Sequence, residues 1–476
     1  MKKFLCLLLA LLMVAIPLVA CADPGDAGKE TGGADKNPAD SGNEEKDELE
    51  LPDKSYKGKS VQLLYEQKQD WGFFPQDFDE DNADDAYVHG IYLRNDAVEQ
   101  KLGIEIEGTE LGGSDAVQES FRLGETSGSS DYDIVFNTVQ KLCADVANKN
   151  VLSYDNLPWV KLDKVWWNQD ARNQLSLGGV SYLNAGDIMI SDKDVMWAVY
   201  FLKDRLKQYP KLPNPYELVY NNEWTWDNMM MMADTAHQDA NSDDQMTINS
   251  SDIFGLCTHP ENYPASWEAA GLKLVEIDQY GTPSLAWGSD QFYDVYTDIV
   301  EIMENKMVVS PTDIGWISTA LSKDKTLFGT EVISFVRKYR DSDYPFGILP
   351  YPKYNSSISR FNSYVAVNSD VVAVGYSHPD TEFVSVVLET MAYYGREKLI
   401  PVYYDEQLKG RYSDEEDDSK MLDIIFEYRC YDLGVYFDSG YSILNKAGAN
   451  PSTAWGKSGK NLEKSLNKKF EKLLNG

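Results

Sequence analysis

Short apolar runs alternate with longer amphipathic stretches along most of the chain. Six of these runs are rich in β-branched and aromatic residues, which is typical of β-strands. They lie at residues 60–65, 104–107, 132–137, 253–257, 346–349 and 364–367. Because amphipathic stretches long enough for helices separate the runs, the pattern predicts an α/β fold with largely parallel sheets.

The clearest helical pattern lies between residues 380 and 396. Its apolar side chains recur at spacings of three and four, which places them on one face of a helix. They are Phe383, Val384, Val387, Leu388 and Met391. An Asp and a Thr follow Pro379, so we expect the helix to begin near Asp380. By the same reasoning, Thr225 is expected to cap a helix that packs the methionines of 229–232.

The N-terminal segment has the pattern of a secretory signal peptide. Lys2 and Lys3 provide a positive start, and residues 4–19 form an apolar run that only Pro17 interrupts. The run is shorter than a membrane-spanning helix, and acidic residues follow it closely. We therefore predict that residues 1–20 direct export and are then removed.

The end of this segment, Leu18-Val19-Ala20-Cys21, resembles the bacterial lipobox. The resemblance implies that the Cys21 thiol is acylated, with palmitate as a typical acyl group, and that cleavage makes Cys21 the new N-terminus. The alternative is an ordinary cleavage site followed by an incidental cysteine.

Residues 21–58 are expected to form a disordered, lipid-anchored tether. From 22 to 58 the sequence holds 11 acidic residues against 5 lysines, and it has almost no large apolar side chain. Such a segment cannot bury enough apolar surface to offset the entropy lost on ordering.

The charge of the whole chain excludes one class of partner. The formal net charge is −33, from 77 acidic and 44 basic residues. Binding of nucleic acid depends on basic groups that displace counterions from phosphates. We therefore expect no nucleic-acid partner.

Cysteine and histidine usage gives no sign of a metal or redox centre. Outside the signal and the anchor, the cysteines are Cys143, Cys257 and Cys430, widely spaced and without a CxxC pair. Buried free thiols are expected, and one disulfide is the alternative. The four histidines are scattered along the chain. We predict no metal and no cofactor.

Beyond residue 58 the chain holds about 418 residues, more than one typical core, which predicts two domains. Six motifs occur there in the order found in one known family. They are YDIV at 132–135, GVSY at 179–182, VYFLKD at 199–204, NPY at 214–216, EWTWD at 223–227 and FGILPYPK at 346–353. On these motifs the chain resembles the bacterial extracellular solute-binding proteins of ABC importers, in the group that includes maltose-binding protein.

The resemblance implies a two-lobed, periplasmic-binding-protein-like fold of type II with a hinge of crossing strands. By analogy, residues 59–183 and 326–365 form the N-terminal lobe, and residues 184–325 and 366–476 form the C-terminal lobe. The implied function is to capture a sugar or oligosaccharide between the lobes and to deliver it to the permease subunits of the transporter. Such a protein is not an enzyme. We expect a monomer, lipid-anchored at the extracellular face of the cytoplasmic membrane.

Candidate ligand contacts follow from the loops that leave the predicted strands and from the positions that resemble ligand contacts in the family. Sugars present C–H patches between hydroxyl groups, so aromatic faces combined with amide and carboxylate groups suit them. The candidates are Tyr65, Trp71, Asn137, Gln140, Asp187, Trp197 and Trp455. For each tryptophan taken singly, packing in the core or on the surface is the alternative role.

Two other functions remain open at this point. A secreted glycoside hydrolase needs two carboxylates across a cleft, and 77 acidic residues supply many pairs. A binding protein for a peptide or a charged solute would favour an arginine in the cleft, and Arg94, Arg337 and Arg360 are the candidates. We expect Arg94 to form a surface pair on a helix instead.

The lipid anchor gives the first testable prediction. We expect Cys21→Ser to release the protein from membranes, because the acylated thiol is then absent. Export should continue, because the apolar run of the signal is unchanged. Fractionation of cells after a salt wash measures both outcomes, and a variant that stays with the membrane would contradict the lipoprotein hypothesis.

Overall fold

The computed structural model describes residues 47–67, 86–128, 130–248, 250–259, 262–311, 315–335, 343–409, 416–446 and 449–474. The strands are β1 (Ser60–Glu66), β2 (Glu105–Leu111), β3 (Ile134–Thr138), β4 (Trp197–Leu202), β5 (Phe254–Cys257), β6 (Val275–Ile277), β7 (Pro283–Leu285), β8 (Val308–Val309), β9 (Thr326–Val332), β10 (Phe346–Pro350), β11 (Ser363–Tyr364), β12 (Asp370–Ala373) and β13 (Arg429–Cys430).

The α-helices are Ala86–Leu102, Ser114–Ser127, Val139–Ala147, Gln169–Leu175, Ser191–Asp194, Lys203–Lys207, Pro215–Tyr220, Trp226–Ala236, Tyr263–Ala269, Asp290–Met303, Gly315–Ser322, Thr381–Tyr394, Glu416–Glu427, Leu433–Tyr436, Tyr441–Leu444, Pro451–Ala454 and Lys460–Leu474. Short 3₁₀ turns lie at Tyr154–Asn156 and Ile333–Phe335. Among the described residues, π-helical segments lie at Gly395–Leu399, Val402–Lys409 and Trp455–Gly459.

The first sheet has four strands in the order β12-β3-β1-β2. β1 runs parallel to β2 and β3, whereas β12 is antiparallel to β3. Val61, Leu63 and Tyr65 of β1 face one apolar core, and Leu64 faces another. A central parallel strand buried on both faces needs apolar residues at successive positions, which explains the run that marks β1 in the sequence.

The second sheet has five strands in the order β10-β4-β9-β5-β8. β5 is parallel to β8 and β9, whereas β4 is antiparallel to both of its neighbours, β9 and β10. Every residue of β4 and β9 is buried. Both sheets therefore combine parallel and antiparallel pairs and are less uniformly parallel than the sequence pattern predicted.

Two chain segments cross side by side between the sheets, and we call them the crossing segments. The first, residues 190–197, leads into β4, and the second, residues 365–370, leads from β11 towards β12. Met196 forms a bridge with Val365, and the Ala366 amide donates to the Val195 carbonyl at 3.3 Å. The first crossing precedes the 199–204 motif, which forms the last four residues of β4 and the start of the helix Lys203–Lys207.

The strand pairing differs from the predicted lobe boundaries. β9 and β10, which lie in the portion 326–365 predicted for the N-terminal lobe, belong with β4 to the second sheet. β12, in the portion predicted for the C-terminal lobe, pairs with β3 of the first sheet. An apolar run shows that a strand is buried, but it does not specify the neighbour with which the strand pairs.

The predicted helix starts are confirmed. Asp380 precedes the helix Thr381–Tyr394 and accepts a hydrogen bond from the Phe383 amide at 3.0 Å. Thr225 similarly caps the helix Trp226–Ala236 by accepting from the Asn228 amide. Each cap satisfies one of the amide groups that the first turn of a helix leaves without a partner.

The last residues of the predicted tether pack against the folded chain. Tyr56 is buried, its ring lies 5.5 Å from that of Phe383, and its hydroxyl donates to Glu382 at 3.0 Å. Asp47 forms an ion pair with Lys164 at 3.1 Å. Ordered contacts thus begin by residue 47, before the predicted end of the tether at residue 58. Residues 1–46, including Cys21, lie outside the described residues.

The described residues also show the state of the cysteines and bear on metal binding and on membrane-spanning helices. Cys143, Cys257 and Cys430 are buried free thiols, as expected. Within the ranges given above, no group of three or more His, Cys, Asp or Glu side chains is placed to hold a metal ion. Over the same ranges, no helix has the length and apolar character needed to cross a membrane.

The junction at Gly395 gives a prediction on stability. A Cβ at Gly395 would lie 1.9 Å from the Asp187 carbonyl oxygen, whereas a Cβ at Gly456 would meet no atom within 4 Å. Both glycines lie in π-helical segments. We expect Gly395→Ala to lower the free energy of unfolding by about 1–3 kcal/mol, a typical cost of overpacking. Gly456→Ala is the control, with no loss expected because alanine also restricts the unfolded chain.

Urea unfolding of both variants tests the junction. Equal midpoints for the two alanine variants would contradict the close approach at Gly395.

Candidate functional site

The carboxyl ends of two strands, one from each sheet, meet at the crossing segments. β3 ends at Thr138, which pairs with Asp370 at the end of the second crossing segment. β9 ends at Val332, which pairs with Trp197 at the end of the first. Loops that leave the carboxyl ends of strands are the usual place for ligands in open α/β sheets. This region is therefore the candidate ligand site.

A pocket of about 520 Å³ is connected to the second crossing segment through one of its lining residues, Tyr436. One wall is the helix Val139–Ala147, which follows β3 and contributes Gln140 in its first turn. The opposite wall comes from residues 436–438 and the C-terminal helix Lys460–Leu474. The Tyr436 hydroxyl donates to the Val365 carbonyl at 2.8 Å, which connects this wall to the second crossing segment. The volume is that of a small-molecule site.

Hydrogen bonds to the buried Asp145 and to the backbone fix the Gln118 side chain in the wall of the pocket. The Gln118 amide donates to the Lys141 carbonyl at 2.7 Å and to the Asp145 carboxylate at 3.0 Å. Asp145 is fully buried and also forms an ion pair with Arg122 at 2.5 Å. The charge of Asp145 is therefore compensated inside the wall, and Gln118 is held in one orientation.

Asn137, near the end of β3, has a structural role, because its side chain is buried and forms hydrogen bonds within the fold. Its side chain is fully buried, donates to the Ser114 carbonyl at 3.1 Å and accepts from the Thr138 amide at 2.8 Å. These bonds join the end of β3 to the start of the helix Ser114–Ser127. Asn137 thus positions the chain from which Gln140 projects.

Trp197 and His259 stack at the corresponding edge of the second sheet. Their ring centroids are 6.5 Å apart with an interplanar angle of 21°, and both side chains are buried. Beside them, the hydroxyls of Thr258 and Thr330 are 2.7 Å apart. Burial lowers the pKa of His259 below its usual value, because a charged ring is poorly solvated there.

Trp455 lies in a separate aromatic cluster. Its ring meets that of Trp287 edge to face at 5.1 Å and 88°. Trp287 is fully buried, whereas Trp455 is partly exposed. The contact with Trp287 keeps the Trp455 ring in place, and Trp455 is not among the residues that line the pocket.

Asp187 belongs to a network of ions in and around the first crossing segment. It pairs with Lys193 at 3.3 Å and with Arg396 at 3.1 Å. The neighbouring Asp192 is fully buried with Lys193 at 3.3 Å and Arg429 at 3.7 Å. Burial by itself raises the pKa of Asp192, but the two cations and hydrogen bonds outweigh burial and lower it.

The remaining candidates do not add to the pocket. Tyr65 packs in the core of the first sheet with 3% of its surface exposed, which leaves little of its ring for a ligand. Trp71 lies outside the described residues. Of the seven candidates, Gln140 lines the pocket, and Asn137 and Trp197 lie at the strand ends beside the crossing segments.

Sequence reasoning missed several pocket residues and misplaced one arginine. Lys468, Lys469 and Lys472 line the pocket, and their spacing of one, three and four on a helix could have identified them as one face. Arg94 was expected on the surface but is fully buried, where its guanidinium bonds Asn95 and the Ile188 carbonyl. Burial lowers the pKa of Arg94 to about 9.

Solved structures share this fold, although no family model and no curated protein matches the chain. An ABC substrate-binding protein from Listeria monocytogenes, in complex with cycloalternan, gives a TM-score of 0.56 at 10% identity, over 86% of this chain and 99% of that chain. A cyclo/maltodextrin-binding protein with maltotetraose gives 0.55 at 14% identity, over 88% and 98%. The maltose/maltodextrin-binding domain from Bdellovibrio bacteriovorus, bound to maltotriose, gives 0.53 at 12% identity, over 86% and 100%.

The chain therefore has the two-lobed α/β fold of periplasmic binding proteins, as the sequence predicted. More narrowly, its fold is that of the extracellular solute-binding proteins that include the maltose-binding group, which confirms the resemblance at the level of the fold.

The stacked pair gives a prediction on pH dependence. The pKa of His259 is lowered in the folded protein, so the neutral ring contributes stability above the ordinary value of 6.5. That contribution is lost as the pH falls through the lower, folded value. We expect the urea midpoint of the parent protein to fall more between pH 7.5 and pH 5 than that of His259→Gln. Equal decreases in the urea midpoint of the parent protein and of His259→Gln would contradict the lowered pKa of His259.

Proposed function

We propose that the chain is the substrate-binding lipoprotein of an ABC importer and that it holds a sugar or oligosaccharide in the pocket described above. One observation carries the proposal: the pocket has the helix that follows β3 of the first sheet on one side and the C-terminal elements on the other, and Tyr436 connects the latter to the second crossing segment. A ligand there contacts both walls at once. Binding of the ligand therefore stabilises the conformation in which the two walls of the pocket are closest to each other.

The chemistry of the pocket supports a carbohydrate ligand. Gln140 offers an amide donor and acceptor, Gln118 offers its amide oxygen, and Ser465 adds a hydroxyl. Phe437 and Tyr436 line the pocket with only 6% and 2% of their surface exposed. Neutral amide and hydroxyl groups suit the hydroxyl groups of a sugar. Three of the solved structures with this fold hold cycloalternan, maltotetraose or maltotriose, which are oligosaccharides.

Delivery and anchoring complete the proposal. The signal-like start and Cys21 support export and a lipid anchor at the extracellular face of the cytoplasmic membrane. A carrier in that position would release its solute to the permease subunits of the transporter. We propose that it acts as a monomer.

Two alternative functions are less well supported. A glycoside hydrolase requires a pair of carboxylates about 5–10 Å apart around the scissile bond. Among the described residues that line the pocket, Asp438 is the one with a carboxylate. A carrier of peptides or other non-sugar solutes remains the second alternative, and the oligosaccharides held by solved structures of this fold favour a sugar over it.

A thermal-shift screen over mono-, di- and oligosaccharides tests the proposal. A ligand at a hundred times its dissociation constant adds about 2.7 kcal/mol of stability, which raises the melting temperature measurably. We expect at least one saccharide to do so, and we expect Gln140→Ala to weaken its binding by about 1 kcal/mol, the net value of one hydrogen bond. Gln100→Ala is the matched control, because Gln100 is exposed on the helix Ala86–Leu102, does not line the pocket, and donates to Asp96 one turn earlier.

Mass spectrometry of the recovered ligand separates carrier from hydrolase. A carrier binds the ground state of its solute and returns it unchanged, whereas a hydrolase stabilises the transition state. Shorter saccharides that accumulate in proportion to protein would replace the transport proposal with the hydrolase. A screen in which no saccharide raises the melting temperature would refute the carbohydrate proposal.

A further inference from the structure

Positive charge is concentrated around the pocket of an otherwise acidic chain. The formal net charge of the protein is −33. Four lysines, Lys141, Lys468, Lys469 and Lys472, nevertheless line the pocket, against the one carboxylate of Asp438. The lining therefore carries a net positive charge, opposite in sign to that of the whole protein.

The packing of the C-terminal helix fixes where its lysines lie. Leu466, Phe470 and Leu473 are buried on one face of the helix Lys460–Leu474. Phe470 packs against Phe437 with a centroid distance of 5.6 Å. Because this face is held in the core, the helix cannot rotate to carry its lysines away from the pocket.

The lysines of this helix have no acidic partner in the described chain. Lys468, Lys469 and Lys472 form no ion pair with any residue that the structure describes. Lys469 is held by the Phe437 carbonyl, to which its ammonium donates at 3.2 Å. An ammonium has three donors, so Lys469 keeps two for another group.

The other charges nearby are already compensated. Lys141 pairs with Asp115, whose side chain is 88% exposed. The carboxylate of Asp145, beneath the pocket, is paired with Arg122. The positive charge that remains in the lining therefore comes from the C-terminal helix.

We propose that the solute of this pocket carries a negative charge, so that the carried sugar is an acidic carbohydrate. The inference rests on the proposed function and makes its substrate class more specific. An anionic group between the two walls replaces the water around the ammonium groups with charge-assisted hydrogen bonds. A neutral sugar in the same place would bury part of these charges without compensation, which costs free energy.

The field of the lysines would also assist capture. A local positive region on a negative protein attracts anions to the pocket while the rest of the surface repels them. The attraction is screened by salt, since the Debye length is about 8–10 Å near physiological ionic strength. Affinity for an acidic sugar should therefore fall as salt is added, whereas affinity for a neutral sugar should not.

Calorimetric titration of the full chain tests the inference with three probes. Trigalacturonate is the acidic probe, maltotriose is the neutral probe with the same number of rings, and citrate is an anion without sugar rings. We expect trigalacturonate to bind at least tenfold more tightly than maltotriose. We expect this preference to shrink when sodium chloride is raised from 50 to 300 mM.

A charge-matched pair of variants locates the effect. Lys468→Gln combined with Lys472→Gln should weaken trigalacturonate binding about tenfold and tighten maltotriose binding, because a neutral sugar then no longer buries these two charges. The control combines Lys306→Gln with Lys398→Gln, which removes the same net charge at two exposed side chains that do not line the pocket. The control should bind both sugars as the parent protein does.

The outcomes separate this inference from the proposed function. Maltotriose that binds as tightly as trigalacturonate, or a pocket variant that behaves like the control, overturns the acidic ligand and leaves a sugar carrier standing. Citrate that binds when neither sugar does supports the anionic site and overturns the sugar carrier. Failure of all three probes overturns both.

Discussion

The arrangement of the two sheets depends on the hydrogen bonds between the crossing segments. Met196 pairs with Val365, Ala366 donates to Val195, and the Asp370 amide donates to the Ser191 hydroxyl at 2.8 Å. These contacts align the end of β3 with one crossing and the end of β9 with the other. Without them, the residues that approach the pocket would have no fixed relation to the second sheet.

The ions around the first crossing segment stabilise it from within. A buried carboxylate such as Asp192 is costly unless cations and hydrogen bonds surround it. Lys193, Arg429 and the Asn168 amide, which donates to Asp192 at 2.9 Å, supply that environment. Loss of one member leaves the others buried with charge uncompensated, so the network favours a single conformation of the crossing.

How much could be predicted from the sequence depended on the range of the interactions involved. Local patterns located β1, β3 and β5 within a few residues, and they predicted the start of the helix Thr381–Tyr394 at its capping Asp380. Pairing between distant strands left no local trace, so the sequence did not indicate that β9 and β10 pair with β4.

The candidate site shows the same limit. Gln140 was found because it follows a strand directly, and it lines the pocket. Lys469 lies more than 300 residues later, and only the tertiary fold brings it to the same pocket. Asp187 has a carboxylate suited to a sugar hydroxyl, but Lys193 and Arg396 already pair with it. The type of a side chain indicates what it can bind, and its neighbours decide whether it is available.

The reactivity of the buried Cys143 thiol reports local opening of the helix beside the pocket. The side chain is 1% exposed on the helix Val139–Ala147, and burial raises its pKa far above the usual range. Thiol reagents react with the thiolate, so a closed helix protects Cys143 twice, by exclusion and by protonation. Its rate of alkylation therefore follows the fraction of time that the helix spends away from its neighbours. A solute that contacts both walls of the pocket would therefore slow the alkylation of Cys143 without contacting this residue.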